Sequence, residues 1–366
     1  MVDRSKLERE LGRIGRQVSA LRTRLAGAVK ARWWTRVRAN RLVPVPGGLA
    51  PGPKVAVFLV YQPAGCAESL FRTLRHLAEA GYAPLVVCNG GVSAEDRARL
   101  LPLSWQLVER PNIGYDFGGY RDGIWLLDRL GVTPERLLVM NDTIWFPAVA
   151  PLGTIGRLEA LDADYAALCN FVYRPRSGRK DALVRRTYAS SFCFLLSGRA
   201  VASEAFRRYW AKLPLHAAKP LVVEQGEVGF SRAMEAAGFL PRVLHDHRAL
   251  AMTVEAMEAA DLEAFLRRLP VLNARIRPGY EAMLAQLDAG RLGTGDLRDY
   301  LLTLLPELNP WDSLVYFGLV QGWTDFIKKA NLKDAGNARR FLKLADADRL
   351  ALMPEVRAEI AALALR

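Results

Sequence analysis

The sequence predicts an α/β protein, a mostly parallel, doubly wound sheet flanked by helices. Three observations predict it. First, KVAVFLVYQP (54–63) and RLLVMND (136–142) are apolar runs of the kind found in strands buried on both faces. Second, residues 67–80 and 118–130 carry apolar positions at helical spacing. Third, these patterns alternate, and strand–helix–strand–helix order implies a parallel sheet. Between them, APLVVCNGG (83–91) reads as a second strand ending in a turn, and SWQLVERPN (104–112) as a third. An apolar strand at 190–197, helices at 200–211 and 224–237, and a helical tail from about residue 255 complete the order.

A chain of 366 residues, 51% hydrophobic, can bury one large α/β domain with additions or two modest domains. The expected division is a basic amphipathic helix at 1–42, a Pro/Gly-rich linker at 43–53, the α/β domain at 54–255 and a helical extension at 256–366. No apolar stretch reaches membrane-spanning length. The start, MVDRSKLERELGR, is charged and lacks the apolar region of a signal peptide. Cys66, Cys88, Cys169 and Cys193 lie far apart and form no CxxC pair, so neither a zinc site nor a disulfide framework is expected. A reduced, cytoplasmic setting fits.

The net charge is +13, yet residues 1–41 alone hold twelve basic and three acidic side chains. The surplus belongs mainly to the appendage, which argues against nucleic acid as a partner of the main domain. Within it, Leu7, Leu11, Ile14, Val18, Leu21 and Leu25 alternate in steps of four and three, a coiled-coil seam through which two copies could form a homodimer. Trp33 and Trp34 follow among arginines. Two readings stand side by side: an anchor lying peripherally on the inner face of the cytoplasmic membrane, or a helix packed on its own domain with the tryptophans in the core.

In doubly wound sheets, ligands bind at the carboxyl ends of the strands. Here those ends carry Gln62, Asn89, Asn112 and Asn141–Asp142. In PNIGYDFGGYRDGI (111–124), Gly114, Gly118, Gly119 and Gly123 cluster where a strand gives way to a helix, a place where backbone N–H groups can meet a phosphate. The same pattern also suits a plain Gly-rich turn. Asp116 and Arg121 of this segment join the candidate ligand-binding residues. It is neither a Walker A loop nor a Rossmann fingerprint, since no GK[ST] follows and it does not follow the first strand. In LLVMNDTIWFP (137–147), Asn141-Asp142-Thr143 ends a buried strand and offers one carboxylate to a divalent cation such as Mg²⁺ or Mn²⁺, or else forms an Asx turn. In VVEQGEVGFSRAMEAAGF (222–239), Glu224 and Glu227 begin a helix one turn apart, on one face of an α-helix. Either suits a general base, and either suits a helix N-terminus for dipole reasons. His245 and His247 are further candidates for a metal or phosphate site.

Taken in order, these motifs resemble the rhamnan synthesis protein F family, related to GT-A rhamnosyltransferases, over roughly residues 54–330. The matching residues are Tyr61-Gln62, the Cys88-Asn89-Gly90-Gly91 turn, Asn112 with Gly114, Gly119 and Gly123, NDTIWFP ending in Pro147, Ser190-Ser191-Phe192, Gly226-Glu227, and Asn309-Pro310-Trp311 with Phe326-Ile327-Lys328-Lys329. The resemblance implies a GT-A-like fold and an inverting glycosyltransferase. The donor would be a nucleotide-diphosphate sugar, dTDP-rhamnose by family, and the acceptor a growing or lipid-linked glycan. By carry-over, Gln62, Asn89, Asn112, Gly114, Asp116, Gly119, Arg121, Asn141 and Asp142 bind the donor. Glu227, or alternatively Glu224, is the base, and Asp142 with His245 or His247 holds the metal. The sequence departs from a D-x-D motif, with Asn141 and Thr143 in the outer positions. That departure keeps a second function open: a non-catalytic sugar-binding or scaffold protein of a polysaccharide assembly complex.

Overall fold

The computed structural model describes residues 29, 32–38, 41–172, 187–269, 275–308 and 316–366. The heptad positions 7–25 and Asn309-Pro310-Trp311 lie outside them. Eleven strands are described: β1 (Val45–Pro46), β2 (Lys54–Val60), β3 (Ala83–Asn89), β4 (Gln106–Arg110), β5 (Arg136–Asn141), β6 (Ile144–Trp145), β7 (Tyr165–Val172), β8 (Thr187–Ala189), β9 (Cys193–Ser197), β10 (Arg242–His245) and β11 (Ile327–Lys328). One mixed sheet runs β1-β4-β3-β2-β5-β9-β7-β10, with β8 on β7. Strands β4, β3, β2 and β5 are mutually parallel, and β10 is parallel to β7. Strand β9 runs against both neighbours.

The apolar run of β2 explains its central place. Ala56, Phe58 and Val60 face one layer with Leu70, Phe71, Leu74 and Leu77 of the helix Glu68–Glu79. Val55, Val57 and Leu59 face the other, with Ile124 and Leu127 of the helix Tyr115–Arg129. Each of the buried Val, Leu, Ile and Phe side chains contributes about 1.5–3 kcal/mol. An α/β architecture with a mostly parallel sheet was expected and is found. Strands β2, β3, β4, β5 and β9 fall within the expected segments. Strands β7 and β10 carry no sequence expectation: YAALCNFV is rich in alanine, a weak strand former, and RVLH is short.

Within the stretch read as a linker, Val45 pairs with Leu107, so β1 is an edge strand of the sheet. Pro46 is tolerated there because an edge strand need not donate on its outer side. The described residues of the 256–366 stretch are largely helical, and they also help to build a two-stranded sheet apart from the main one. Its strand β11 pairs with β6, placing Lys328 opposite Ile144. The helix Pro354–Ala364 presents Glu359 to Ser69 N and Oγ, both at 2.9 Å, and to Trp145 Nε1 at 2.7 Å. Among the described residues no helix is long and apolar enough to cross a membrane.

The two tryptophans of the basic segment part company. Trp34 is 6% exposed and its Nε1 donates to Asp122 Oδ2 at 2.8 Å, whereas Trp33 is 48% exposed. For Trp34 the packed reading holds. Trp34→Ala should therefore cost about 3–5 kcal/mol of unfolding free energy, the range for large-to-small core changes. Urea unfolding checks this, and Trp33→Ala should lose much less. Equal losses would contradict the inward placement of Trp34.

Candidate functional site

The chain leaves β2 toward β3 on one side and leaves β5 toward β9 and β7 on the other, so β2 and β5 flank a switch point where a crevice opens. A cavity of about 360 Å³ lies beside it at the carboxyl ends of β2, β3 and β4, lined by Tyr61, Asn89, Asn112, Ile113, Gly114, Tyr115, Asp116, His216 and Ala217. Asn89, Asn112, Gly114 and Asp116, all expected to bind the donor, thus converge on one wall. Tyr61 entered only as the neighbour of Gln62 in the family resemblance, and Tyr115, His216 and Ala217 were not foreseen. Tyr61 and Tyr115 are 48% and 39% exposed, which leaves ring surface available to a planar ligand.

The cavity lies at the N-terminus of the helix Tyr115–Arg129. Gly114 caps it at φ +79°, in the left-handed region where glycine carries no Cβ penalty, and no side chain bonds the first turn. Open N–H groups and the helix dipole favour an anion here. Gly119 has a different duty. A Cβ there would stand 2.2 Å from Leu59 Cδ1, so this glycine permits close packing of helix on sheet and does not reach the cavity.

Beneath the cavity lies a buried ionic hub. Asp122 Oδ2 accepts from Arg110 Nε at 2.7 Å and from Trp34 Nε1, while its Oδ1 accepts from Arg121 at 3.0 Å. Arg110 also donates to Asn89 Oδ1, and to the Ile113 carbonyl at 2.8 Å. Arg110 therefore aims the pocket wall from below, a role no sequence motif signals. Asn89 Nδ2 lies 3.4 Å from Asn112 Oδ1 and 3.3 Å from the Tyr115 carbonyl. The amide of Asn89 is thus bonded within the wall. Arg121, expected at the donor, is 1% exposed and meets Asp122, Thr35 and the Trp125 ring instead. Helical spacing from Asp116 turns it to the far face.

The inner end of the crevice gathers charge. Asn141 Nδ2 donates to Asp116 Oδ2 at 2.9 Å, and Asn141 Oδ1 accepts from the Thr143 backbone at 3.2 Å. Asp142, half-buried, accepts from the Tyr61 N–H at 3.0 Å and is bonded by the Gln62 side chain. Gln62 in turn accepts from Ala67 N at 2.7 Å, so it braces Asp142 and the start of a helix. Burial pushes the Asp142 and Asp116 carboxyls up, and each is partly offset by a lysine: Lys329 for Asp142, Lys328 for Asp116.

Glu227 and Glu224 do not share a face. Residues Val223–Val228 form a π-helical turn, whose i→i+5 closure is wider than that of an α-helix and moves residues three apart onto different sides. Glu227 is half-buried. Burial raises its carboxyl, opposed by a Ser191 hydrogen bond and Lys328, and assisted by the nearby Asp116 charge. Glu224 is exposed and lines a separate surface groove with Arg208, Tyr209, Lys212 and Arg232. Of the two candidate bases, Glu227 is the one whose carboxyl feels Asp116 and Lys328, while Glu224 lines the other groove.

Asp142 and His245, two of the expected metal ligands, do not converge. His245 lies on β10, three strands from β5, or about 14 Å at the usual strand spacing. Its ring meets Phe326, and burial lowers its pKa to about 4. The His247 side chain lies outside the described residues. Among the described residues, no three His, Cys, Asp or Glu side chains are placed to hold a metal ion. What stands beside the carboxylates is lysine. The Lys328 Nζ donates to Thr143 Oγ1 at 2.6 Å and lies 4.0 Å from the Phe192 ring centroid. The short β6–β11 ladder puts it there, joining segments 185 residues apart, so only the order of motifs hinted at it.

The family model described as rhamnan synthesis protein F matches residues 85–276. A protein of Sinorhizobium fredii described as uncharacterized protein y4gN is 32% identical over 239 residues, covering 65% of this chain and 61% of that protein. The chain thus spans about three-fifths of the length of this relative. X-ray structures of the mannosyltransferase Ktr4p from S. cerevisiae, one of them in complex with GDP, are similar at 10% and 9% identity. They cover 46% and 43% of this chain and 62% and 60% of theirs, with TM-scores of 0.28 and 0.27, too low to add to the reading.

Proposed function

The chain belongs to the rhamnan synthesis protein F family, and from that membership we propose that it is a GT-A-like glycosyltransferase of polysaccharide synthesis. One observation carries the reading. A cavity at the carboxyl ends of β2 and β3 meets an open helix N-terminus, with Asp116 between it and the inner charged cluster. That arrangement suits a nucleotide-diphosphate sugar. The base would lie between Tyr61 and Tyr115, the diphosphate at the helix N-terminus, and the sugar toward Asp116 and Glu227. Family membership favours rhamnose from dTDP-rhamnose. Glu227 would take the acceptor hydroxyl proton as sugar leaves the diphosphate, giving inversion, and burial makes it a stronger base than an exposed carboxylate. The acceptor would be a growing or lipid-linked glycan. The basic segment 1–42, with Trp33 turned outward, would then bring the enzyme to the inner membrane surface.

The test is direct. Nucleoside diphosphates and their sugars should raise the unfolding temperature, because a ligand that binds only the folded state stabilises it. dTDP-rhamnose should also be slowly hydrolysed to dTDP. Stabilisation without release of nucleoside diphosphate, even with glycan acceptors present, would select the sugar-binding or scaffold alternative. No shift with dTDP-, UDP- or GDP-sugars would defeat the donor-site reading itself.

A further inference from the structure

We propose that Lys328, with Lys219 and Lys329 around it, neutralises the donor diphosphate in place of a divalent cation. The inference rests on the donor-site reading above and names the group that site uses.

Two observations carry it. The first is the chemistry of the candidate ligand set. A hard divalent cation needs several free oxygen ligands. The carboxylate of Asp142 already accepts the Tyr61 N–H and a bond from Gln62. The carbonyl oxygen of Asn141 accepts from Thr143, and its amide nitrogen is given to Asp116. His245 sits three strands away. Two carboxylates, each already bonded, are a poor cage.

The second observation is where the ammonium group sits. Lys328 Nζ bonds Thr143 Oγ1, Thr143 bonds Asn141, and Asn141 bonds Asp116, which lines the cavity. A continuous polar chain therefore ties this lysine to the wall where the diphosphate would lie. The lysine is half-buried, and Phe192 supports it from one side. Asp116 and Glu227 favour its charge, yet burial outweighs them and lowers its pKa to about 8. An entering diphosphate would bring a further anion to this half-buried ammonium group. Lys219, exposed at the crevice rim, and Lys329, whose charge meets Asp142, extend the positive surface on either side. The leaving diphosphate gains charge as the sugar departs, and a fixed ammonium stabilises that charge as it develops.

The experiment measures dTDP, UDP and GDP binding to the full chain by calorimetry, with EDTA and then with Mg²⁺ or Mn²⁺. The expected result is binding in EDTA, little changed by either cation. Lys328→Met should weaken that binding by about 10–100-fold, the scale of losing one charge-assisted hydrogen bond, and Lys328→Arg should restore most of it. Circular dichroism confirms that each variant is folded. Binding that appears only with added cation overturns the proposal and leaves the glycosyltransferase reading standing. So does a Lys328→Met variant that binds as well as the parent. If Lys328→Met does not fold, the EDTA comparison on the intact chain decides alone. If no diphosphate binds under any condition, the donor-site reading fails, and this inference with it.

Discussion

Glu227→Gln should bind nucleoside diphosphate nearly as well as the parent and turn over about a hundredfold or more slowly, the scale of losing a general base. The amide keeps the size of the side chain and can still bond Ser191, so the π-helical turn has no reason to move. What is lost is the proton acceptor. The pH profile adds a second readout. A base works deprotonated, so turnover rises with pH through the carboxyl's pKa. Burial raises that pKa, so the acid limb should lie above the range of an exposed glutamate. In Glu227→Gln this limb should vanish. Glu224→Gln is the control: its carboxylate lies in another groove, and turnover should be close to that of the parent. If Glu224→Gln is the dead variant instead, the assignment of faces in the π turn is wrong. Loss of diphosphate binding in Glu227→Gln would move this residue from proton transfer into the donor pocket.

Asp122→Ala should be strongly destabilising, costing about 3–5 kcal/mol, the range for breaking a buried ion pair by removing one partner. Arg110 and Arg121 would be left side by side without their shared carboxylate, both nearly inaccessible to water. Trp34 would lose its acceptor as well. Against a total stability of about 5–15 kcal/mol, that is a large share. Guanidinium unfolding measures it, and the denaturation midpoint should fall sharply. The effect should reach the pocket, because Arg110 holds both Asn89 and the Ile113 carbonyl. Folded Asp122→Ala protein should therefore bind nucleoside diphosphate more weakly. A loss under about 1 kcal/mol would mean that water reaches these groups.

How far the sequence revealed the site depended on distance along the chain. Asn89, Asn112, Gly114 and Asp116 were legible because strand ends and a glycine-marked helix start are local signals, and a doubly wound sheet gathers such ends at one edge. Arg121 and Gly119 were misplaced because motif membership says nothing of which way a helix turns its side chains. Arg121 entered the ionic hub, and Gly119 met Leu59. Glu224 and Glu227 were indistinguishable by α-helical spacing, and a π turn separated them.

The sequence by itself determined the layered α/β class, the central parallel strands and the strand ends at which the cavity opens. Continuous apolar runs and alternating periods can be satisfied only by strands covered on both faces. The tertiary structure alone decided three things. It reversed β9 within the sheet, folded Trp34 inward onto Asp122, and brought Lys328 from the C-terminal stretch to Thr143. The physical reason is common to all three. Each is a pairing between segments far apart in the chain, chosen because a buried polar or apolar group must find its partner, and local pattern cannot say where that partner is.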